Sequence, residues 1–137
     1  MITRNLIDLN QLSLEELDDI TDMACRISNH PSHFSTTCRD KLMATLFYEP
    51  STRTQMSFQA AMLRLGGKII GFDNPGSTSV AKGESLKDTV TVLSGYTDIL
   101  TIRHPVEGAA MAASLYSSVP VINAGGGGPL HPTPTRT

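Results

Sequence analysis

Apolar residues along the chain alternate between helical spacing and short continuous runs. After the capping pair Ser13 and Glu16, apolar residues recur at helical spacing, which predicts a first helix that ends at about Ser28. Residues 29–39 are rich in proline, serine and threonine and are predicted to form a loop. The apolar run at 42–48 then predicts a buried strand.

The same alternation continues to the end of the chain. Ser51 can cap a second helix, for which the glycine pair at 66–67 is a stop signal. Ser85 and Asp88 form another capping pair ahead of a third helix. Residues 73–84 have no periodicity and form the longest predicted loop, a kind that is usually functional. The later predicted elements are strands at 68–72, 98–103 and 119–123 and an alanine-rich helix at 107–116.

Strands that alternate with helices over short loops are typical of an α/β fold. We expect a three-layer domain with a mainly parallel sheet of about four strands, covered by helices on both faces through right-handed crossovers. The length of 137 residues and the 39% hydrophobic content fit one compact domain. Ligands of such sheets bind beyond the carboxyl ends of the strands, so the segments after the strands are the candidate site.

Composition excludes several classes of partner. The net charge of -2, from 11 basic and 13 acidic residues, gives no broad attraction to nucleic acid or to an anionic membrane. Cys25 and Cys38 lack metal-type spacing, which indicates a reduced, cytoplasmic protein with buried or idle thiols and no metal or cofactor. Neither a signal-peptide core nor an apolar run of the ~20 residues that span a bilayer is present. Met23, Met56 and Met62 are assigned to the core.

Four segments that follow predicted strands meet at one edge of the sheet. They supply cationic side chains together with hydroxyl groups, a combination that suits an anion with several oxygens. The predicted binding residues are Arg53, Lys82, Arg103 and His131, with the hydroxyls of Ser51, Thr52, Thr54 and Ser79.

The segment 51–54 is the most informative of the four. A helix that begins here leaves its first N–H groups unpaired at the positive end of the dipole, where a phosphate can accept them. Arg53 adds a planar fork that can make paired hydrogen bonds to phosphate oxygens. A capped helix with a solvent-exposed arginine explains the same residues equally well, because serine and threonine are ordinary caps.

A series of motifs, in the family's own order, resembles the transcarbamoylases. The Lys82-Gly83-Glu84 and His104-Pro105-Val106-Glu107-Gly108 segments are similar to the aspartate enzyme rather than to ornithine transcarbamoylases. The resemblance covers nearly all of this chain but only the first half of the family's chain. The matching motifs lie at 47–54, 57–58, 64–66, 71–72, 77–84, 88–89, 103–110, 123–125 and 131–133.

The resemblance implies a role for each candidate residue. Attack of an amine on the carbamoyl carbon builds an oxyanion, and fixed donors aimed at it are typically the largest catalytic contribution. Thr54, Arg103 and His131 would reach the carbonyl oxygen of carbamoyl phosphate and are the implied catalytic residues. Ser79 and Lys82 would enter the active site of a neighbouring subunit in a homotrimer. The implied substrate-binding residues are Ser51, Thr52, Arg53, Thr54, Ser79, Lys82, Arg103 and His131.

The chain also departs from the family's pattern. Pro134 stands where the family has a glutamine that contacts the carbamoyl group, and Gln55 stands where arginine is usual. Residues 1–137 are expected to be the carbamoyl-phosphate-binding domain alone, which leaves Glu49 without the partner it would contact in the aspartate-binding domain. The family makes N-carbamoyl-L-aspartate and phosphate in pyrimidine biosynthesis, and we expect this chain alone to be inactive.

Two other functional classes stay open. The chain can be a non-catalytic phosphate-binding or assembly module that exchanges into trimers of a full-length enzyme. It can also be a fragment of an ornithine transcarbamoylase, although the segments around Lys82 and Glu107 argue against this. Without the resemblance, Lys82 is an ordinary solvent-exposed charge and His104 is a turn residue before proline. The presence of a regulatory chain is a further possibility that the resemblance leaves open.

Overall fold

In the computed structural model, which describes residues 4–73 and 85–126, helices and strands alternate as the apolar pattern predicts. Short 3-10 helices lie at Leu9–Gln11 and Pro31–Phe34. The helices and strands are α1 Leu14–Asn29, β1 Leu42–Phe47, α2 Thr52–Arg64, β2 Lys68–Phe72, α3 Leu86–Ser94, β3 Ile99–Arg103, α4 Ala109–Tyr116 and β4 Val121–Asn123.

The four described strands form one sheet in the order β2-β1-β3-β4. Each neighbouring pair is parallel, with Thr45 of β1 facing Gly71 of β2 on one side and Thr101 of β3 on the other. The carboxyl ends of these strands therefore lie at one edge. The expectation of an α/β fold with a mainly parallel sheet is confirmed.

The order of the strands fixes where the helices lie. The chain moves from β1 outward to β2, then returns past β1 to β3 and β4. With right-handed crossovers, this reversal places α2 on one face and both α3 and α4 on the other. The chain changes direction between β1 and β3, and the crevice at such a switch point is where parallel sheets bind ligands.

The core is built on the apolar runs of the central strands. Leu46, Leu100 and Ile102 are almost completely buried, and Val90 of α3 and Val121 of β4 pack with them. Strands covered on both faces need such continuous apolar runs, which explains why 42–47 was recognisable as a strand.

Two predicted boundaries are wrong for local reasons. β4 begins at Val121 rather than at 119, because the Ser117 hydroxyl donates to the Val119 carbonyl at 2.7 Å and accepts the Val119 N–H at 3.0 Å. This side-chain turn takes the place of ladder hydrogen bonds. α4 begins at Ala109 rather than at 107, because Gly108 precedes it in the left-handed region at φ 85°.

The assignment of sulfur-containing side chains to the core is correct only for Met62, which is buried. Cys25 and Met23 on α1 are exposed, and Met56 on α2 is 61% exposed. The capping box of Ser13 and Glu16 does start α1 as predicted, but the helix has no buried residue within the described structure. Helical spacing identifies an apolar stripe and cannot show whether anything covers it.

Candidate functional site

The site lies where the chain leaves β1, β3 and β4 at the carboxyl edge of the sheet. The Tyr48 N–H donates to the Arg103 carbonyl at 2.8 Å, which extends the pairing of β1 and β3 by one residue. The Ala124 N–H donates to the Ile102 carbonyl at 2.7 Å on the other side of β3. The three segments that follow the strands are therefore held side by side.

No side chain of the described residues caps the first turn of α2. Ser51 occupies the N-cap position, but its hydroxyl makes no capping hydrogen bond, so the predicted capping role is wrong. In contrast, the hydroxyls of Ser13 and Ser85 each accept a backbone N–H at 3.1 Å. Within the described residues, the N–H groups of 52–54 therefore keep their hydrogens for another acceptor, as an anion-binding helix start requires.

The side chains of this first turn divide into exposed and buried groups. Thr52 and Arg53 are exposed, and Arg53 is free to turn toward an anion. Thr54 is only 1% exposed, and its Oγ1 has no hydrogen-bond partner in the described part of the chain. A buried hydroxyl without a partner loses its hydration energy, so at the start of α2 this atom remains available to a ligand.

Arg103 at the end of β3 faces the same edge. Its side chain is 14% exposed, and Nη1 donates to the Ala124 carbonyl at 3.1 Å. Nε lies 3.7 Å from Glu49 Oε2, which is an ion-pair distance but too long for a hydrogen bond. Glu49 therefore has an ion-pair partner within this domain, a contact that the sequence did not predict. The hydrogen bond to Ala124 positions the guanidinium, while Nε has no hydrogen-bond partner among the described residues.

His104 closes the turn that follows β3. Its Nδ1 accepts the Val106 N–H at 3.1 Å, and its ring lies against Tyr48 with centroids 4.8 Å apart. Burial lowers the pKa of His104, and the nearby Glu49 carboxylate opposes this only in part. A neutral ring whose Nδ1 accepts carries its proton on Nε2. The turn-residue interpretation of His104 therefore has direct support.

Gly126, after β4, packs tightly against the Glu49 side chain. Its φ is +80°, and a Cβ built there would lie 2.5 Å from Glu49 Oε2 and 2.7 Å from the His104 carbonyl. Sequence reasoning missed this contact. The glycine run after a strand was a signal that something approaches closely, but it did not identify the partner.

The structure brings together most of the predicted site. Residues 51–54 begin α2 next to the end of β1, and Arg103 ends the neighbouring β3. Ser79, Lys82 and His131 lie outside the described residues. In the ranges 4–73 and 85–126, no group of three histidine, cysteine, aspartate or glutamate side chains is arranged to hold a metal ion. None of the helices in those ranges has the length and apolar content needed to cross a membrane.

Comparisons with known proteins point to one group of enzymes. The family model "Aspartate/ornithine carbamoyltransferase, carbamoyl-P binding domain" matches residues 4–135. The aspartate carbamoyltransferase catalytic subunit of Clostridium novyi is 58% identical over 134 residues, which cover 98% of this chain and 44% of that protein.

Two solved structures have folds similar to that of this chain. The catalytic subunit of M. jannaschii aspartate transcarbamoylase has a TM-score of 0.87 and 49% identity, covering 95% of this chain and 43% of its own. Trypanosoma cruzi aspartate transcarbamoylase in complex with carbamoyl phosphate and aspartate has a TM-score of 0.88 and 33% identity, covering 96% and 44%. The chain thus spans less than half the length of these relatives.

Proposed function

Because the chain belongs to the aspartate/ornithine carbamoyltransferase family, we propose that it binds carbamoyl phosphate as part of an aspartate transcarbamoylase. The observation that carries this proposal is the start of α2, where, as far as residues 4–73 and 85–126 show, no side chain caps the helix and the buried Thr54 hydroxyl is unbonded beside free N–H groups. The same arrangement accepts inorganic phosphate, the product that the transfer reaction leaves behind.

Several independent features of the edge favour a phosphate at α2. The helix dipole and the N–H groups of 52–54 give a partial positive charge that costs no side-chain ordering. Arg53 adds a full charge in the exposed first turn, and the guanidinium of Arg103 lies at the end of the adjacent strand. Charge-assisted hydrogen bonds of this kind are about twice as strong as neutral ones.

The proposed reaction uses fixed donors and forms no covalent enzyme intermediate. The aspartate amine attacks the carbamoyl carbon and a C–N bond forms. The bond from carbon to the phosphate oxygen breaks, and a proton from the amine passes to the departing phosphate. Thr54, Arg103 and His131 are proposed to stabilise the negative charge that develops on the carbonyl oxygen. The cluster at 51–54 neutralises the departing phosphate.

We propose that aspartate is bound by parts of the enzyme beyond this chain, since its relatives are more than twice as long. Positioning of a second substrate accounts for ~7–11 kcal/mol of barrier lowering. A chain without those parts should therefore bind carbamoyl phosphate and fail to transfer the carbamoyl group.

We further propose a cytoplasmic homotrimer in which Ser79 and Lys82 complete the site of a neighbouring subunit. Large apolar side chains on α3, on α4 and in the turn after α3 support self-association, because exposed groups of this kind often mark protein interfaces. They are Val92, Tyr96, Met111 and Leu115.

Calorimetric titration of the purified chain with carbamoyl phosphate and with inorganic phosphate tests this function. Arg53→Ala should weaken binding by about tenfold or more, because a charge-assisted contact contributes ~1.5–3 kcal/mol. Arg64→Ala removes the same charge from the last turn of the same helix and should leave the affinity unchanged. Equal affinities for wild type and Arg53→Ala would contradict the assignment.

A further inference from the structure

Two glutamine side chains of α2 converge on one buried hydroxyl of the sheet. Nε2 of Gln55 donates to Thr45 Oγ1 at 3.3 Å, and Nε2 of Gln59 donates to the same oxygen at 3.2 Å. Gln55 also donates to the Phe72 carbonyl at 3.1 Å. Thr45 is fully buried and Gln55 is 6% exposed, so these hydrogen bonds are shielded from water.

The sheet provides space for this cluster of polar groups. Gly71 of β2 lies directly opposite Thr45, with φ at +157°, and a Cβ there would collide with Thr45 Oγ1 and with the Thr45 carbonyl. Only glycine leaves this space open. The contact between the two amides and Thr45 therefore depends on glycine in β2 as well as on the glutamines of α2.

Gln55 differs from Gln59 in what it connects. Its backbone N–H donates to the Ser51 carbonyl at 2.9 Å and closes the first turn of α2. Its side chain joins that turn to Thr45 in β1 and to Phe72 at the carboxyl end of β2. Gln59 lies one turn further along, and within the described ranges its amide hydrogen-bonds only to β1.

The first turn needs such an anchor because it has no cap. An anion site requires free N–H groups, and a serine that capped them would occupy the donors that the ligand uses. Among the described residues Ser51 makes no such bond, so the turn loses the order that a cap gives to α1 and α3. A side chain that holds the turn from the sheet side restores this order without blocking the donors.

We propose that Gln55 is a positioning residue for the anion site: its amide fixes the first turn of α2 on the sheet so that the N–H groups of 52–54 stay aimed at the ligand. The effect of Gln55 on ligand binding rests on the proposed function, in which the start of α2 binds a phosphate. Gln55 itself is buried behind the turn and donates to the sheet, so it acts through the backbone that it holds.

Gln55→Met and Gln59→Met form the matched pair that tests the proposal. Each variant keeps the length of the side chain and removes one amide from Thr45, but only the first removes the bond to Phe72. Gln55→Met should weaken inorganic phosphate binding by about threefold to tenfold, as loss of a hydrogen bond of typical net strength predicts, while Gln59→Met stays within about twofold of wild type.

Amide hydrogen exchange of the ligand-free chain gives a readout that does not depend on binding. The N–H of residue 55 should exchange about tenfold faster in Gln55→Met than in Gln59→Met, since its protection reports the free energy of opening this turn. A role in stability alone would lower the unfolding midpoint without changing the phosphate affinity of the folded protein. If Gln55→Met does not fold, Gln55→Asn keeps a buried amide that is too short to reach Phe72, and the same losses are expected.

The outcomes separate the inference from the proposed function. Folded Gln55→Met that binds phosphate as tightly as wild type and protects its first turn equally would overturn the positioning role. A wild-type chain that binds no phosphate would refute the proposed function, and the exchange experiment would then decide whether Gln55 orders the turn.

Discussion

Replacing Thr54 by valine should stabilise the fold and damage the site at the same time. Valine has the shape of threonine with a methyl group in place of the hydroxyl, and the two have similar helix propensities. The Thr54 side chain is buried, and its hydroxyl has no hydrogen-bond partner within the described chain. An unsatisfied buried polar group costs ~1–3 kcal/mol, so Thr54→Val should raise the free energy of unfolding by about 1 kcal/mol or more.

The binding measurement should move in the opposite direction. A hydroxyl that donates to a phosphate or carbamoyl oxygen makes a hydrogen bond to a charged group, and the loss of ~1.5–3 kcal/mol corresponds to roughly a tenfold to hundredfold weaker affinity. Urea unfolding and calorimetric titration of the same preparation give both numbers. A higher free energy of unfolding together with a weaker phosphate affinity is specific to this mechanism, because a damaged fold would lower both the stability and the affinity.

Thr89 of α3 provides the control. Its hydroxyl is also buried without a hydrogen-bond partner among the described residues, but it lies on a different helix from the proposed anion site. Thr89→Val should stabilise the fold by a similar amount and leave phosphate binding unchanged. A destabilised Thr54→Val variant, or one that binds phosphate like wild type, would refute the inference that the Thr54 hydroxyl donates its hydrogen bond to a bound ligand.

Three further predictions concern residues at the carboxyl edge of the sheet and the activity of the chain. Gly126→Ala should destabilise the fold by about 1–2 kcal/mol more than Gly108→Ala in urea unfolding, because both need positive φ but only the first places a Cβ against Glu49 and the His104 carbonyl. Burial lowers the pKa of His104 in the folded state. The unfolded state therefore takes up a proton more readily below the usual histidine pKa of about 6.5, so the free energy of unfolding should fall as the pH drops below that value. His104→Gln should flatten this pH dependence, and an unchanged slope would contradict the prediction. Purified chain given carbamoyl phosphate and aspartate should form no carbamoyl aspartate, and robust turnover without contaminating enzyme would refute this.

The elements of the fold were predictable because their signals are local. The apolar runs of β1 and β3 and the capping serines of α1 and α3 act within a few residues of one another, and the structure keeps each of them. The location of the candidate site is a prediction of the same kind, since parallel strands place their carboxyl ends at one edge.

The contacts inside the site could not be predicted in this way. Gln55 and Gln59 resemble the polar positions of an ordinary surface helix, and nothing near them in the sequence indicates the buried hydroxyl of Thr45. The contacts of Glu49 with Arg103 and with Gly126 join segments that follow three different strands. Such contacts depend on strand order and register, and the continuous apolar runs of these strands lack the alternation that would specify register.

The start of α2 departs from two local rules at once, and this links stability to binding. In the described part of the chain its N-cap serine does not cap and Thr54 buries a hydroxyl without a partner, whereas α1 and α3 are capped by their serines. Local rules are expected to fail where a site is completed by its ligand. An anion that accepts these donors binds the folded state alone, so inorganic phosphate at about 100 times its Kd should raise the free energy of unfolding by ~2.7 kcal/mol. At that same concentration Thr54→Val should gain much less, because its affinity is lower, and the stability advantage of the variant should reverse as phosphate is added.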